Sequence, residues 1–324
     1  MEWSRQLKFF MASVVMIVGM SCSSIAALAT SGSLIPMGNS IGIQLELAGV
    51  FVTSDVPLSK KNASLKAGDQ LMSIDGTSIE SLKNLQEKAG VIEDESVLKL
   101  ILKRDENDVK IEADGLSFKR ALPFLKDTTE GTGTLTYVDL NDGTYGALGH
   151  QIIDSSLNSA PNFDSGSIYL SEIEQIKKST PGNPGYKISS IIDQEKTLGS
   201  ILTNSVYGIF GDWNTSYKEV LTEPLEVMQP TELTVGKAEI LTTIQGTEVE
   251  SFDIEISKLS NDSFQFKLTD QRLLEKTGGI LQGMSGSPVI QKGKFVGAVT
   301  HMFVDEPEKG AGLFLGKMTE VGAK

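Results

Sequence analysis

The chain has 324 residues, 40% of them hydrophobic and 22% charged, with 29 basic against 42 acidic side chains and a formal net charge of -13. That excess of carboxylates, with no run of Lys or Arg, excludes a nucleic acid backbone as a natural partner and describes a solvated surface. The single cysteine, Cys22, excludes an intramolecular disulfide, and the only two histidines, His150 and His301, fall in no zinc-ligand spacing, so neither a metal nor another cofactor is expected.

In chain order, Arg5 and Lys8 precede the apolar stretch from Phe9 to Met20, and Ala27-Leu28-Ala29 supplies a small-x-small pattern. Residues 1–29 therefore read as a signal peptide, or as a signal anchor, because the apolar span approaches the roughly 20 residues that a bilayer requires. Export across a membrane is expected. From Leu34 to Glu112, β-prone runs follow at Ile41 to Leu47, Val50 to Thr53, Gln70 to Ile74 and Val97 to Leu102, with one helix from Ser81 to Lys88. After Asp114-Gly115 come many short β-prone runs punctuated by glycine, up to Gly293 to Val304, with little helical periodicity. The fold class expected is mostly β, in two units after the leader, 34–112 and 115–324.

Two segments of the first unit carry a more specific signal. Leu65-Lys66-Ala67-Gly68-Asp69-Gln70-Leu71 followed by Ile74-Asp75-Gly76 resembles the L-x-x-G-D-x-I-x-x-I-[ND]-G pattern of PDZ domains. Ser40-Ile41-Gly42-Ile43-Gln44-Leu45 resembles the loop with which such domains receive a peptide carboxylate, the next strand accepting the peptide as an extra strand. Ile41, Gly42 and Ile43 are the contact positions that this resemblance implies.

Near the other end, Gly283-Met284-Ser285-Gly286-Ser287-Pro288 resembles the G-D-S-G-[GS]-P nucleophile loop of trypsin-like peptidases, whose fold is a double β-barrel. Small residues around a serine let a substrate carbonyl approach, and a tight turn can aim the N–H groups of Gly283 and Ser285 at one oxyanion. Met284 stands where many trypsin-like enzymes carry an acid that pairs with a freed N-terminus, so that activation route is absent. A serine nucleophile needs a general base, and His150, ending Tyr145-Gly146-Ala147-Leu148-Gly149-His150, precedes the serine as in the trypsin-like order. Thr300 and His301, on the strand after the nucleophile loop, are expected to line the substrate cleft.

Taken together, Gly131 to Tyr137, Tyr145 to His150, Lys237 to Thr242, Gly246 to Val249, Gly278 to Ile280 and Gln282 to Pro288 are similar to the stage IV sporulation protein B peptidases, a family that joins a PDZ domain to a trypsin-like serine peptidase. The resemblance implies an endopeptidase exported into the space between the two membranes around a forespore. There it would cleave a membrane-bound regulator, and itself near its N-terminus, to release an intramembrane protease that activates a late sigma factor. Residue by residue it implies Ser285 as nucleophile, His150 as base and Asp270 as acid, whereas a trypsin-like topology points to Asp193, and a helix cap is an alternative role for Asp270. The competing function is a catalytically idle PDZ-bearing scaffold at the spore membranes.

Overall fold

The computed structural model describes residues 32–58, 63–105 and 107–322. The expected leader at 1–29, with Cys22, lies outside the described residues. Among the described residues no helix is long and apolar enough to cross a membrane.

The last third of the chain forms a closed six-stranded barrel from Gly236–Thr243, Val249–Leu259, Ser263–Leu268, Pro288–Gln291, Lys294–Phe303 and Glu306–Phe314. Strict alternation builds it. Phe252, Ile254 and Ile256 point inward and their neighbours outward, and Phe264, Phe266 and Leu268 repeat the pattern on the next strand. Val289, Val296 and Val299 close the same core.

All the preceding longer strands belong to one fifteen-stranded sheet. Its peptidase half comprises Leu125–Asp139, Thr144–Ala147, Phe163–Lys177 and Gly208–Asp212, packed over Ile35, Ile41, Leu45, Leu135, Tyr145, Ile168 and Trp213. Its PDZ half has a separate core of Val50, Val52, Leu71, Leu85, Leu98, Leu100, Leu102 and Phe118. The sequence cues act here as expected. Asp69 of the Gly-Asp pair is 1% exposed and takes two 2.7 Å hydrogen bonds from Arg104, while Asp75 (φ 49°) and Gly76 (φ 79°) make the tight turn. Ser81 caps the helix Leu82–Ala89, its Oγ accepting from Asn84 N–H at 3.1 Å.

The two halves meet in the strand Ser40–Val52, and here the structure departs from expectation. From Ile41 to Leu45 this strand pairs with Gly133 to Thr129 on one edge and with Leu170 to Gly166 on the other. Ile41 and Ile43 are buried, and a side chain on Gly42 would sit 2.4 Å from Ile191 Cγ1. Ile41, Gly42 and Ile43 are therefore interior strand residues with no free edge for a peptide, rather than a carboxylate-receiving loop. An alternating Φ-G-Φ run reads the same at an edge as at the centre of a sheet; only distant strands decide. The register shifts between Glu46 and Phe51, with Gly49 at φ 123°, and beyond it Val50 and Phe51 pair with Leu71 and Gln70. The PDZ core thus begins at Val50, while residues 34–47, expected within the first unit, sit in the peptidase sheet. At its other end the helix Gly115–Ala121 extends the PDZ core past Glu112 through Phe118 and Ala121.

Candidate active site

Three features shape the nucleophile loop. Gly283 (φ 94°) and Gly286 (φ 96°) hold a conformation that L side chains rarely adopt. At Gly286 even a methyl group would lie 2.2 Å from the Thr134 carbonyl and 2.6 Å from Leu148 N. Ser287 N–H donates to Met284 O at 3.0 Å, closing a turn, and Gly286 N–H donates to Val299 O at 2.7 Å. Met284 is fully buried in the barrel core, so its side chain replaces an ion pair with packing.

His150 reaches the loop from the other half of the peptidase. After the strand Thr144–Ala147 the chain takes two successive positive φ values, 72° at Leu148 and 70° at Gly149. A positive φ at leucine is strained, and here it directs the next residue towards the Thr300 strand: a Cβ on Gly149 would lie 3.0 Å from Thr300 Cγ2. His150 and Ser285 line the same cleft, of about 580 Å³, together with Gly283, Gln282, Gln151, Asp154 and the strand from Thr128 to Thr132.

Nδ1 of His150 lies 2.9 Å from the Gln151 carbonyl oxygen. A carbonyl can only accept, so this contact places the proton on Nδ1 and leaves Nε2 of the neutral ring with a free lone pair, as a general base requires. The Ser285 hydroxyl donates to the Thr300 carbonyl at 3.1 Å, and among the described residues no hydrogen bond joins it to His150. His301 also reaches the site, its ring centroid 5.9 Å from that of His150. Burial, reinforced by the neighbouring His150, holds the His301 pKa below the ordinary imidazole value, favouring a neutral His301 ring. Thr300 contributes its carbonyl; its hydroxyl donates to Ala311 O at 3.1 Å.

Among the described residues neither acid named from the sequence makes a hydrogen bond or ion pair with His150. Asp270 caps the helix Gln271–Thr277: Oδ1 accepts from Arg272 N–H at 2.9 Å and Leu273 N–H at 3.4 Å, and Oδ2 pairs with Arg272 Nη2 at 2.8 Å. The Arg272 side chain holds its carboxyl below the usual range, outweighing partial burial. Asp193 sits in a surface turn and accepts from Glu195 N–H at 2.9 Å, with Lys196 beside it. Both carboxylates are occupied by local partners, and the group that orients His150 is a backbone carbonyl. We therefore expect Asp270→Ala to lose about 1 kcal/mol of stability as a lost helix cap. Its kcat/KM should stay within about threefold of wild type, against the roughly 10,000-fold fall expected of an orienting acid. Steady-state kinetics beside urea unfolding decides between these roles.

Sequence reasoning also passed over Asp154, a buried carboxylate that lines the same cleft. Its Oδ2 binds Lys126 and Thr129, and its Oδ1 accepts from Ser156 N–H, Ser156 Oγ and Leu157 N–H. Burial would raise its pKa, but these donors outweigh it and keep the carboxyl well below the usual range. Asp154 thereby pins the segment after His150 to the strand Leu125–Asp139; the Asp-Ser-Ser turn signal at 154–156 was its only local trace. Among the described residues no group of three or more His, Cys, Asp or Glu side chains could hold a metal ion.

A β-rich fold with a glycine-flanked serine and a histidine in one cleft, behind a PDZ module, defines the chain as a PDZ-bearing serine peptidase. Residues 119–319 match the family model described as SpoIVB peptidase S55, and residues 39–114 match the model of the PDZ domain. The chain belongs to the SpoIVB peptidase S55 family. Among solved structures it is similar to the active form of the Rv3671c protease of M. tuberculosis, with a TM-score of 0.36 and 14% identity over 60% of this chain and 74% of that one. The inactive form of that protease gives a TM-score of 0.33 and 14% identity over 58% and 81% of the two chains. A search of the curated proteins gave no match.

Proposed function

We propose that the chain is an exported endopeptidase of sporulation that cleaves a membrane-bound regulatory protein, and its own N-terminal segment. Release of an intramembrane protease that activates a late sigma factor would follow. The observation that carries the chemistry is that His150 and Ser285, delivered by the sheet and by the barrel, line one cleft. Family membership supports the biological setting, the space between the forespore membranes.

In this reading Ser285 Oγ turns from the Thr300 carbonyl towards His150 Nε2, gives up its proton there and attacks the scissile carbonyl. The N–H groups of Gly283 and Ser285 receive the oxyanion, and His150 returns the proton to the leaving amine. Water, activated by the same imidazole, then releases the acyl group from Ser285. The Gln151 carbonyl keeps the ring in the required tautomer throughout.

A fluorophosphonate probe tests the chemistry: wild-type protein should be labelled, and Ser285→Ala should not. Folded wild-type protein that takes no label would favour the idle scaffold. The setting is tested by expressing the chain in a sporulating host that lacks its own S55 peptidase. Wild type, but not Ser285→Ala, should restore late sigma-factor output.

A further inference from the structure

We propose that Thr134 is a positioning residue: its hydroxyl holds in place the peptide that lies between the two oxyanion-binding N–H groups of the nucleophile loop. The inference rests on the reading of Ser285 as nucleophile. Thr134 is completely buried on the strand Leu125–Asp139 and uses three groups at once. Its Oγ1 donates to the Gly283 carbonyl at 2.7 Å, its N–H donates to the Ser285 carbonyl at 3.1 Å, and its own carbonyl accepts from Leu148 N–H at 3.2 Å. One side chain and its backbone thus tie the carbonyls on both sides of Met284 to the segment that delivers His150.

The hydroxyl matters because of what it holds. Gly283 has no side chain to restrict it, and at φ 94° it occupies a region that glycine enters and leaves freely. The 283–284 peptide is fixed at one end by Met284 N–H, which donates to Leu281 O at 3.1 Å, and at the other by the Thr134 hydroxyl on Gly283 O. Without that hydroxyl the half-buried Gly283 carbonyl loses its donor and the 283–284 peptide can rotate, changing ψ of Gly283 and φ of Met284 and so shifting the flanking peptides that carry the Gly283 and Ser285 N–H groups. Threonine suits the task because its branched Cβ restricts χ1, so the donor is aimed before the loop docks.

The test separates positioning from bulk structure. Thr134→Val keeps shape, backbone and the bond to Ser285 O while removing the donor. We expect kcat to fall about 10- to 100-fold, somewhat less than the loss of an oxyanion donor itself, with KM within about threefold. Affinity for a peptide boronic acid, which forms a charged tetrahedral adduct on the nucleophile, should fall in parallel, while affinity for an unreactive product peptide stays constant. Thr134→Ser should recover kcat to within about threefold of wild type. If Thr134→Val does not fold, Thr134→Ala gives the same comparison with a smaller side chain. Wild-type kcat and boronate affinity in the donor-free variant would overturn the inference, as would a loss that serine does not repair. A wild-type protein that no fluorophosphonate labels at Ser285 overturns the nucleophile reading instead.

Discussion

Ser285→Ala and His150→Ala should each lower kcat/KM by about 10,000-fold or more, and the double variant should be no worse than the poorer single one. The reason is chemical unity: the base has nothing to deprotonate without the hydroxyl, and the hydroxyl is a weak nucleophile without the base. Neither change should unfold the protein. Among the described residues the Ser285 side chain makes one neutral hydrogen bond, to Thr300 O, so its loss is worth about 1 kcal/mol. The His150 ring likewise makes one hydrogen bond among the described residues, to the adjacent Gln151 carbonyl. Kinetics on a peptide substrate, with near-UV circular dichroism to establish the fold, gives the result directly. Losses that multiply in the double variant would mean that the two groups act independently, and a single variant retaining full activity would remove it from the mechanism.

Lys187→Met should abolish a large pH dependence of stability. Lys187, on the strand Gly185–Ile191, is 6% exposed, its methylenes pack against Gly283, and its Nζ donates to Thr242 Oγ1 at 3.0 Å. No carboxylate pairs with it among the described residues. Burial alone pushes its pKa down to about 7. Above about pH 10.5 the amine is neutral in the folded and unfolded chain alike; between about 7 and 10.5 only the unfolded chain holds the proton. The unfolded state binds more protons in that window, so stability rises with pH, by on the order of 3–5 kcal/mol, and is lost again as pH falls towards 7. Other groups titrate there as well, but the difference between wild type and Lys187→Met isolates this one. Urea midpoints from pH 6.5 to 10 should rise in wild type relative to the variant, which should be the more stable protein at neutral pH. Parallel profiles would show that the ammonium is solvated or paired.

Much of the fold is legible in local chemistry. Asp75-Gly76 demands its turn, Ser81 caps its helix, and the alternation from Phe252 to Ile256 requires one buried and one wet face. The PDZ and peptidase units are recognisable for the same reason, since their motifs are short runs of turn and strand chemistry. The nucleophile loop is legible because glycine at Gly283 and Gly286 answers a backbone conformation, which leaves its mark on the residue itself.

What local chemistry does not contain is the identity of distant partners. Ile41-Gly42-Ile43 has the composition of a peptide-receiving edge, yet two strands from elsewhere in the chain cover both of its sides. Asp270 has the sequence position of an acid, yet its carboxylate is saturated by the helix it starts and by Arg272. The group beside His150 Nδ1 is a backbone carbonyl, which every residue possesses and no sequence pattern can distinguish. Residue type and spacing determined the turns, caps, strand faces and the serine loop, because these depend on interactions within a few residues. Tertiary structure alone decided which strand edges are covered, which group orients the imidazole and that Thr134 reaches the nucleophile loop, because hydrogen bonds across the sheet and barrel depend on where remote segments meet.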